Sequence, residues 1–474
     1  MNSCIFVLAD GARPDVLSNL LQKGDLPTIE RYLIEPGSYR TMVSVIPATT
    51  GPAYLPFLTG CYPGTCNMPG IRWFDRKTSR QQRFSLYKFR SYVGFESYMY
   101  NHDISKDVKT IFELTDNAVN IFSSINRGVG FWGNKTKLRR GIHWLRAHYT
   151  ANWQKTDATC EKILLRVIGK NHQFIFALFP SIDTLSHLTH PTSEIVLDAY
   201  RRLDDSVGKV VRHLQKLGKL EETLIILTSD HGLSQTHTHL GLVDLIKNLG
   251  LKTLFYPLIF KWNPQAVVME SGNGMANLYF RVGERWDEPC YYHHLRRYGP
   301  GKIDLIDFLG QREEIALLVS RDVTGNIIVN SRDGEAKISL VNNQIQYQIL
   351  SGKDPFGYAD FPVQTDFDNS LELTFDTDYP DAIMQLIQIF RSPRTGDLLV
   401  SAKEGFDLRT RFENPEHKSS HGSLHKSHLL VPYVSNVKIT AQRKLRTVDV
   451  FPSMLKLLGL SIGNQPTDGR SFIE

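Results

Sequence analysis

The sequence predicts a doubly wound α/β fold, a mostly parallel sheet carrying an inserted, smaller α+β cap domain, and three observations lead there. First, short apolar runs recur at 4–9, 41–46, 119–124, 173–179 and 224–229, each bounded by Gly, Pro, Ser or Asp. Continuous apolar runs of roughly 5–7 residues suit strands buried on both faces, as in a parallel sheet. Second, the segment 193–217 places Val196, Leu197, Tyr200, Leu203, Val207, Val210, Val211 and Leu214 at three- and four-residue steps, with Arg201, Arg202, Asp204 and Asp205 between them. That spacing predicts an amphipathic helix packed on the sheet and ending at Gly218. Third, the texture changes near residue 287. The runs 326–330, 337–341 and 344–350 are separated by Arg-Asp-Gly and Asn-Asn, which reads as an antiparallel meander. A helical piece at 382–390 follows, then strand-like 397–402 and 429–434 and a terminal helix at 448–458. The expected organisation is a core at 1–286, an inserted cap at 287–394 and a return to the core at 395–474. The segment 53–59 also reads as helical.

Composition excludes several classes. The 474 residues hold 55 Lys and Arg against 49 Asp and Glu, a net charge of +6, with 41% hydrophobic residues. This is globular material, neither disordered nor low in complexity. The mild basicity suits an anionic substrate. The densest basic piece, Lys135 to Arg140, reads as a solvated face, so nucleic acid is not expected as the main partner. Five scattered cysteines without a Cys-x-x-Cys pair argue against a disulfide framework or zinc ribbon, and point to a reducing cytoplasm. The N-terminal apolar run is short and lacks a basic lead, so it reads as a strand rather than a signal peptide. No apolar stretch of ~18 residues is present to span a membrane.

In open parallel sheets, ligands bind beyond the carboxyl ends of the strands. Asp10 follows the first run. The run 173–179 leads to Asp183 and His187, and 224–229 leads to Asp230 and His231. Singly, each is ordinary turn, cap or surface-pair chemistry. Together they bring three carboxylates and two imidazoles to one edge. Such donors suit zinc or a related divalent ion, and they exceed the four ligands of one zinc. Two ions would clamp the attacking and leaving oxygens of a displacement at phosphorus. The run 41–46 leads into Pro47-Ala48-Thr49-Thr50-Gly51-Pro52. A threonine hydroxyl there meets a helix N-terminus, which stabilises phosphate and alkoxide; it equally suits a plain N-cap with Pro52 in the first turn.

Taken in order, Ala9-Asp10-Gly11, Pro47-x-x-Thr50-x-Pro52, Thr59-Gly60-x-x-Pro63, Asp183-x-x-x-His187 and Ser229-Asp230-His231-Gly232 carry a resemblance. Ser420-His421-Gly422 before an apolar strand, and Arg446 to Pro452 before the last helix, extend it to the tail. The chain resembles the alkaline phosphatase superfamily, on its nucleotide pyrophosphatase/phosphodiesterase side. The resemblance implies two divalent ions, zinc by expectation. Asp10, Asp230 and His231 would hold one, with Thr50 as a further ligand; Asp183, His187 and His421 would hold the other. It implies attack of Thr50 on phosphorus, a phosphothreonine intermediate and its hydrolysis by water. The expected substrate is a small-molecule phosphate diester or pyrophosphate. The alternatives are phosphomonoester or phosphonate hydrolysis on the same site, or a catalytically inactive, metal-stabilised binding protein. Oligomeric state is not legible.

Departures accompany the match. The phosphodiesterase branch carries Asn three residues after its nucleophile, where this chain has Ala53. Cys61-Tyr62-Pro63-Gly64-Thr65 imitates the start of a sulfatase motif but ends in Thr, so Cys61 reads as a helix-end packing residue. His425 and His428 read as a solvated loop, and His237 and His239 are left unassigned. Asp354 to Tyr358 reads as a turn. Trp73 and Phe74, in the loop 67–75, suit either core packing or stacking on a substrate.

Overall fold

A computed structural model describes residues 1–81, 88–137, 139–150, 152–259, 263–411 and 415–473. The apolar runs form a seven-stranded sheet from β1 (Ser3–Ala9), β2 (Ser38–Val43), β3 (Ala118–Ile121), β4 (Phe174–Phe179), β5 (Thr223–Thr228), β6 (Leu430–Ser435) and β7 (Leu445–Arg446). Their order is β7-β2-β6-β5-β1-β4-β3. β1 runs parallel to β4 and β5, β3 to β4, and β7 to β2. β6 is antiparallel to both neighbours, β2 and β5. Six strands therefore point the same way, and their carboxyl ends share one edge with the start of β6. β4 and β5 are buried along their whole length, as the continuous apolar runs require. Helices Pro14–Gln22, Gln154–Val167, Glu194–Lys216 and Val450–Leu457 add side chains to the same core. The fold is a doubly wound, mostly parallel α/β fold.

Four local differences from the sequence reading have physical causes. β2 ends at Val43 rather than 46, because Ile46 exchanges its backbone bonds with side chains instead of a strand: its N–H donates to Gln385 Oε1 (3.1 Å), and its carbonyl accepts from Gln388 Nε2 (2.9 Å). β3 ends at Ile121, because Phe122 takes φ +70° and donates its N–H to Thr136 Oγ1 (2.8 Å). Asp204 does not belong to the exposed face of the long helix. It is buried, and its carboxylate accepts the N–H groups of Thr28 (3.2 Å) and Ile29 (2.7 Å). The segment 53–59 divides into a 3-10 turn, Pro52–Tyr54, and a helix, Leu55–Thr59. Pro56 has no N–H with which to continue one ladder through both.

A second sheet has nine strands, in the order Thr253–Phe255, Ala266–Ser271, Met275–Phe280, Leu398–Ala402, Ile315–Arg321, Ile327–Asn330, Gly334–Val341, Gln344–Gly352 and Gln364–Thr365. Only its first pair is parallel. It draws strands from both sides of residues 287 and 394. Asn342 and Asn343 both take positive φ, +50° and +62°, and so close the hairpin between Gly334–Val341 and Gln344–Gly352, the turn conformation that Asn tolerates best. Asp354 to Tyr358 is a turn, with Phe356 N–H on Asp354 Oδ1 (2.7 Å). Trp73 and Phe74 are 1% exposed and packed in the interior, so they do not stack on a ligand.

The helix Ala382–Ile389 links the second sheet to the first. Besides holding Ile46, Gln388 Oε1 accepts from Gly64 N–H (3.0 Å). Asp381, just before this helix, is fully buried and takes a bidentate bond from Arg446, Nε at 2.8 Å and Nη2 at 2.7 Å. Removing one partner of such a pair leaves the other charge stranded. Arg446→Met is expected to cost about 3–5 kcal/mol, read as a lowered urea midpoint; a loss below about 1 kcal/mol would show the pair to be solvated.

Candidate active site

All the strand-end residues meet at the shared edge. Asp10 follows β1, Asp183 lies in the helix Ser181–Leu188 after β4, and Asp230 and His231 follow β5. Because β6 runs the other way, His421, ahead of it, reaches the same edge. Thr50 arrives from β2. Two groups of donor atoms lie within 4.8 Å of one another: Asp10, Asp230 and His231, and Asp183, His231 and His421. His231 belongs to both. His187 Nε2 stands 3.4 Å from Asp183 Oδ1, and His421 Nε2 stands 3.9 Å from the same oxygen. Thr50 Oγ1 is 3.4 Å from Asp10 Oδ1 and 3.3 Å from His231 Nε2.

The imidazoles are oriented from behind. His187 Nδ1 donates to Ser419 carbonyl (2.6 Å), His421 Nδ1 to Ala48 carbonyl (2.8 Å) and His231 Nδ1 to Gly232 carbonyl (3.0 Å). A carbonyl only accepts, so each Nδ1 carries a proton and each Nε2 is turned towards the carboxylates. Asp183 Oδ1 and Asp230 Oδ2 are buried and accept no hydrogen bond. Burial pushes the Asp10 carboxyl well above its ordinary range, and the neighbouring Asp230 and Asp183 push it further. Burial also raises Asp230, against the pull of His231. For Asp183 burial acts upward too, but His187, His421 and His231 outweigh it and hold the group low. Burial, with His231 beside it, keeps His421 neutral. Oriented imidazoles, buried carboxylates and orphaned oxygens form a donor set that fits divalent cations.

Neighbours unread from the sequence complete the site. Tyr54 donates to Asp10 Oδ2 (3.0 Å) and so fixes which oxygen turns towards Thr50. Tyr100 donates to the Thr50 carbonyl (3.3 Å). Gly51 takes φ +97°, and a Cβ there would run into the Tyr100 hydroxyl, so this turn needs glycine. His417 lies over His187, ring centroids 4.2 Å apart. None of the three carries a spacing signal; only the tertiary fold brings them in. Ala53 packs with Val45, Tyr62, Met384 and Val448, so the position that elsewhere carries Asn faces the interior here.

The remaining histidines stand apart from the cluster, and the solvated-loop reading is corrected. His428 is buried, between Ser234 Oγ (2.8 Å) and Ser423 Oγ (2.7 Å). His425 accepts the Ser427 N–H (3.3 Å) as a helix cap. His239 pairs with Asp407 and Glu416. Cys61 is buried with its thiol on the Pro466 carbonyl (3.2 Å), the helix-end packing expected of it. All five cysteines are free and buried.

A sheet edge with paired carboxylate–imidazole clusters around a threonine hydroxyl defines the phosphoryl-transfer class of α/β hydrolase. The sequence profile of the type I phosphodiesterase / nucleotide pyrophosphatase family matches residues 4–424. The chain belongs to that family, within the alkaline phosphatase superfamily, and is a hydrolase acting on phosphoric ester bonds. Among solved structures it is similar to phosphonoacetate hydrolase from Sinorhizobium meliloti 1021 in complex with phosphonoacetate, with 16% identity, TM-score 0.57, and 96% of this chain and 95% of that one covered. It is also similar to murine ectonucleotide pyrophosphatase / phosphodiesterase 5, an inactive threonine-to-alanine variant in complex with AMP, with 13% identity, TM-score 0.57, and coverage of 99% and 97%. The human counterpart gives 12% identity, TM-score 0.56, and coverage of 98% and 97%. No curated protein sequence matches the chain.

Proposed function

We propose that this chain hydrolyses a small-molecule phosphate diester or pyrophosphate through Thr50, with two divalent cations, most simply Zn2+, in the paired clusters. The observation that carries the reading is the Thr50 hydroxyl, within 3.4 Å of Asp10 Oδ1 and 3.3 Å of His231 Nε2. Asp10, Asp230, His231 and Thr50 would hold one cation, and Asp183, His187 and His421 the other. When bound, such ions lower the pKa of hydroxyl nucleophiles and neutralise charge on phosphoryl oxygens.

The protein's own groups do the rest. The Thr50 hydroxyl loses its proton to solvent and its oxygen attacks phosphorus in line; the bond to the leaving oxygen breaks, and that oxygen takes a proton from water as the product alcohol or phosphate departs. A phosphothreonine remains, and water then cleaves it. Tyr54 keeps Asp10 turned to Thr50, and the three backbone carbonyls behind the imidazoles keep their Nε2 atoms forward. The murine relative bears on this reading, since a threonine-to-alanine change is part of its inactive form. We also propose that the second sheet and its helices act as the cap that selects the leaving group; of the division expected at 1–286, 287–394 and 395–474, the middle segment supplies five of its nine strands, while Thr253–Phe255, Ala266–Ser271, Met275–Phe280 and Leu398–Ala402 come from either side. Five free, buried thiols suit a reducing, cytoplasmic setting.

One observation favours a second reading. With Ala53 in an apolar pocket, no side-chain amide from that position reaches the phosphoryl group, so a monoester or phosphonate remains a candidate substrate on the same site. The test compares kcat/KM for bis(p-nitrophenyl) phosphate and p-nitrophenyl phosphate with zinc-loaded protein. A diester preference of at least tenfold is expected. A monoester preference of that size would replace the diester reading, and no turnover of either, nor of a phosphonate, would favour the inactive binding protein.

A further inference from the structure

The charge of this chain is unevenly distributed. Between Asp116 and Asp157 lie 40 residues with seven cations, Arg127, Lys135, Lys137, Arg139, Arg140, Arg146 and Lys155, and no acid. The rest of the chain holds 48 cations against 49 acids and is nearly neutral. Within the described part of this segment, Arg127 pairs with Glu113 (3.0 Å) and Arg140 is buried against Ser123 carbonyl and Ser97 Oγ. Lys135, Lys137, Arg139 and Arg146 pair with no described carboxylate. Leu138, in the middle of the basic piece, lies outside the described residues.

Large apolar side chains stand out among these cations. Trp132 is 83% exposed, Phe131 60% and Ile142 67%. The two aromatic rings pack edge to face, 5.2 Å apart. Lys137 Nζ lies 5.2 Å from the centre of the Phe131 ring, and Lys135 Nζ donates to the Trp132 carbonyl (2.7 Å). The support beneath is firm: Trp144 packs between Phe122 and Trp153. A tryptophan and a phenylalanine at a loop tip, ringed by unpaired lysine and arginine, match the chemistry of an anionic lipid surface, with rings for the headgroup boundary and cations for the phosphates. A solvated basic face does not require the rings, and a nucleic-acid track would ask for cations in a row rather than around an apolar tip.

The segment leaves β3 at its carboxyl end and then returns along it: Asn134 bridges Asn120 in parallel, and Lys135 N–H donates to the Asn120 carbonyl (3.0 Å), so Phe131 and Trp132, which precede that bridge, lie towards the amino end of β3 and away from the edge that holds Thr50. Tyr98 OH donates to Lys137 carbonyl (3.0 Å), and two residues on, Tyr100 reaches the Thr50 carbonyl.

We infer that the surface carrying Phe131, Trp132 and Ile142, with Lys135, Lys137, Arg139 and Arg146, docks the enzyme peripherally on anionic phospholipid membrane. The inference goes beyond the proposed chemistry and does not depend on which ester is cleaved. It is tested by flotation of the full chain with vesicles of phosphatidylcholine alone and with 30% phosphatidylserine. Binding to the anionic vesicles only is expected, weakened at least tenfold by 0.5 M NaCl, by F131A/W132A, and by K137E/R139E. Turnover of soluble bis(p-nitrophenyl) phosphate should be unchanged in both variants, which shows them folded. Absence of binding to anionic vesicles, or equal binding by F131A/W132A, would overturn the proposal. So would a Trp132-dependent dimer, or tight binding of a 20-mer oligonucleotide, in protein that ignores vesicles.

Discussion

Thr50→Ala is expected to lower kcat for a diester by on the order of 10³- to 10⁶-fold, the range seen when a covalent nucleophile is removed and water must act in its place. The change deletes a half-buried hydroxyl from a turn whose shape is set by Gly51 and Pro52 rather than by the Thr50 side chain. Asp10, Asp230, His231, Asp183, His187 and His421 all remain, so zinc content by mass spectrometry should stay near that of the natural protein. Thr50→Ser retains an oxygen and should recover much of the lost rate. Acid quenching during turnover of a radiolabelled diester adds a readout independent of rate: label should appear on the peptide containing residue 50 and vanish in the alanine variant. Turnover surviving in Thr50→Ala, or label on another residue, would remove Thr50 from its role and leave direct attack by water. Loss of turnover together with loss of both metals would instead show Thr50 to be mainly a ligand.

The site was legible in its primary donors because each is tied to a strand end. An acidic residue just past a buried apolar run must emerge at the sheet edge whatever the rest of the chain does, so Asp10, Asp183, Asp230 and His231 follow from local pattern alone. His421 required the direction of β6, which no local pattern reports, and only the match to the family supplied it. Tyr54, Tyr100 and His417 were illegible for a different reason: a tyrosine that orients a carboxylate looks the same in sequence as one that fills a core. Asp204 marks the limit of helical periodicity, which treats every carboxylate as solvent-seeking. Here two backbone N–H groups at the start of another helix make burial acceptable. In the same way, β2 stops short of its apolar run because Gln385 and Gln388, more than 300 residues away, take over its hydrogen bonds.

Chelation of bound metal should abolish turnover and weaken the fold, and the loss of stability should grow as pH rises. In the metal-free protein, burial and mutual repulsion keep Asp10 and Asp230 protonated above the ordinary carboxylate range. Above the unfolded value, roughly pH 4, the folded chain then binds more protons than the unfolded one, and each rise in pH destabilises it until those groups ionise. Asp183 has the opposite sign. Held low by His187 and the other imidazoles against its burial, it adds stability above its unfolded value and loses it only in acid, so it contributes nothing to the trend between pH 5.5 and 8. The metal-loaded protein moves the other way, because cations bind deprotonated ligands and tighten as protons leave. At a thousandfold excess over Kd, one bound ion stabilises the native state by about 4 kcal/mol. The gap in Tm between zinc-loaded and EDTA-treated protein should therefore widen from pH 5.5 to pH 8, with activity and the upper Tm both restored by added zinc. A gap that stays constant or narrows with pH would mean that these carboxylates already carry their charges in the metal-free fold, offset by protein groups alone.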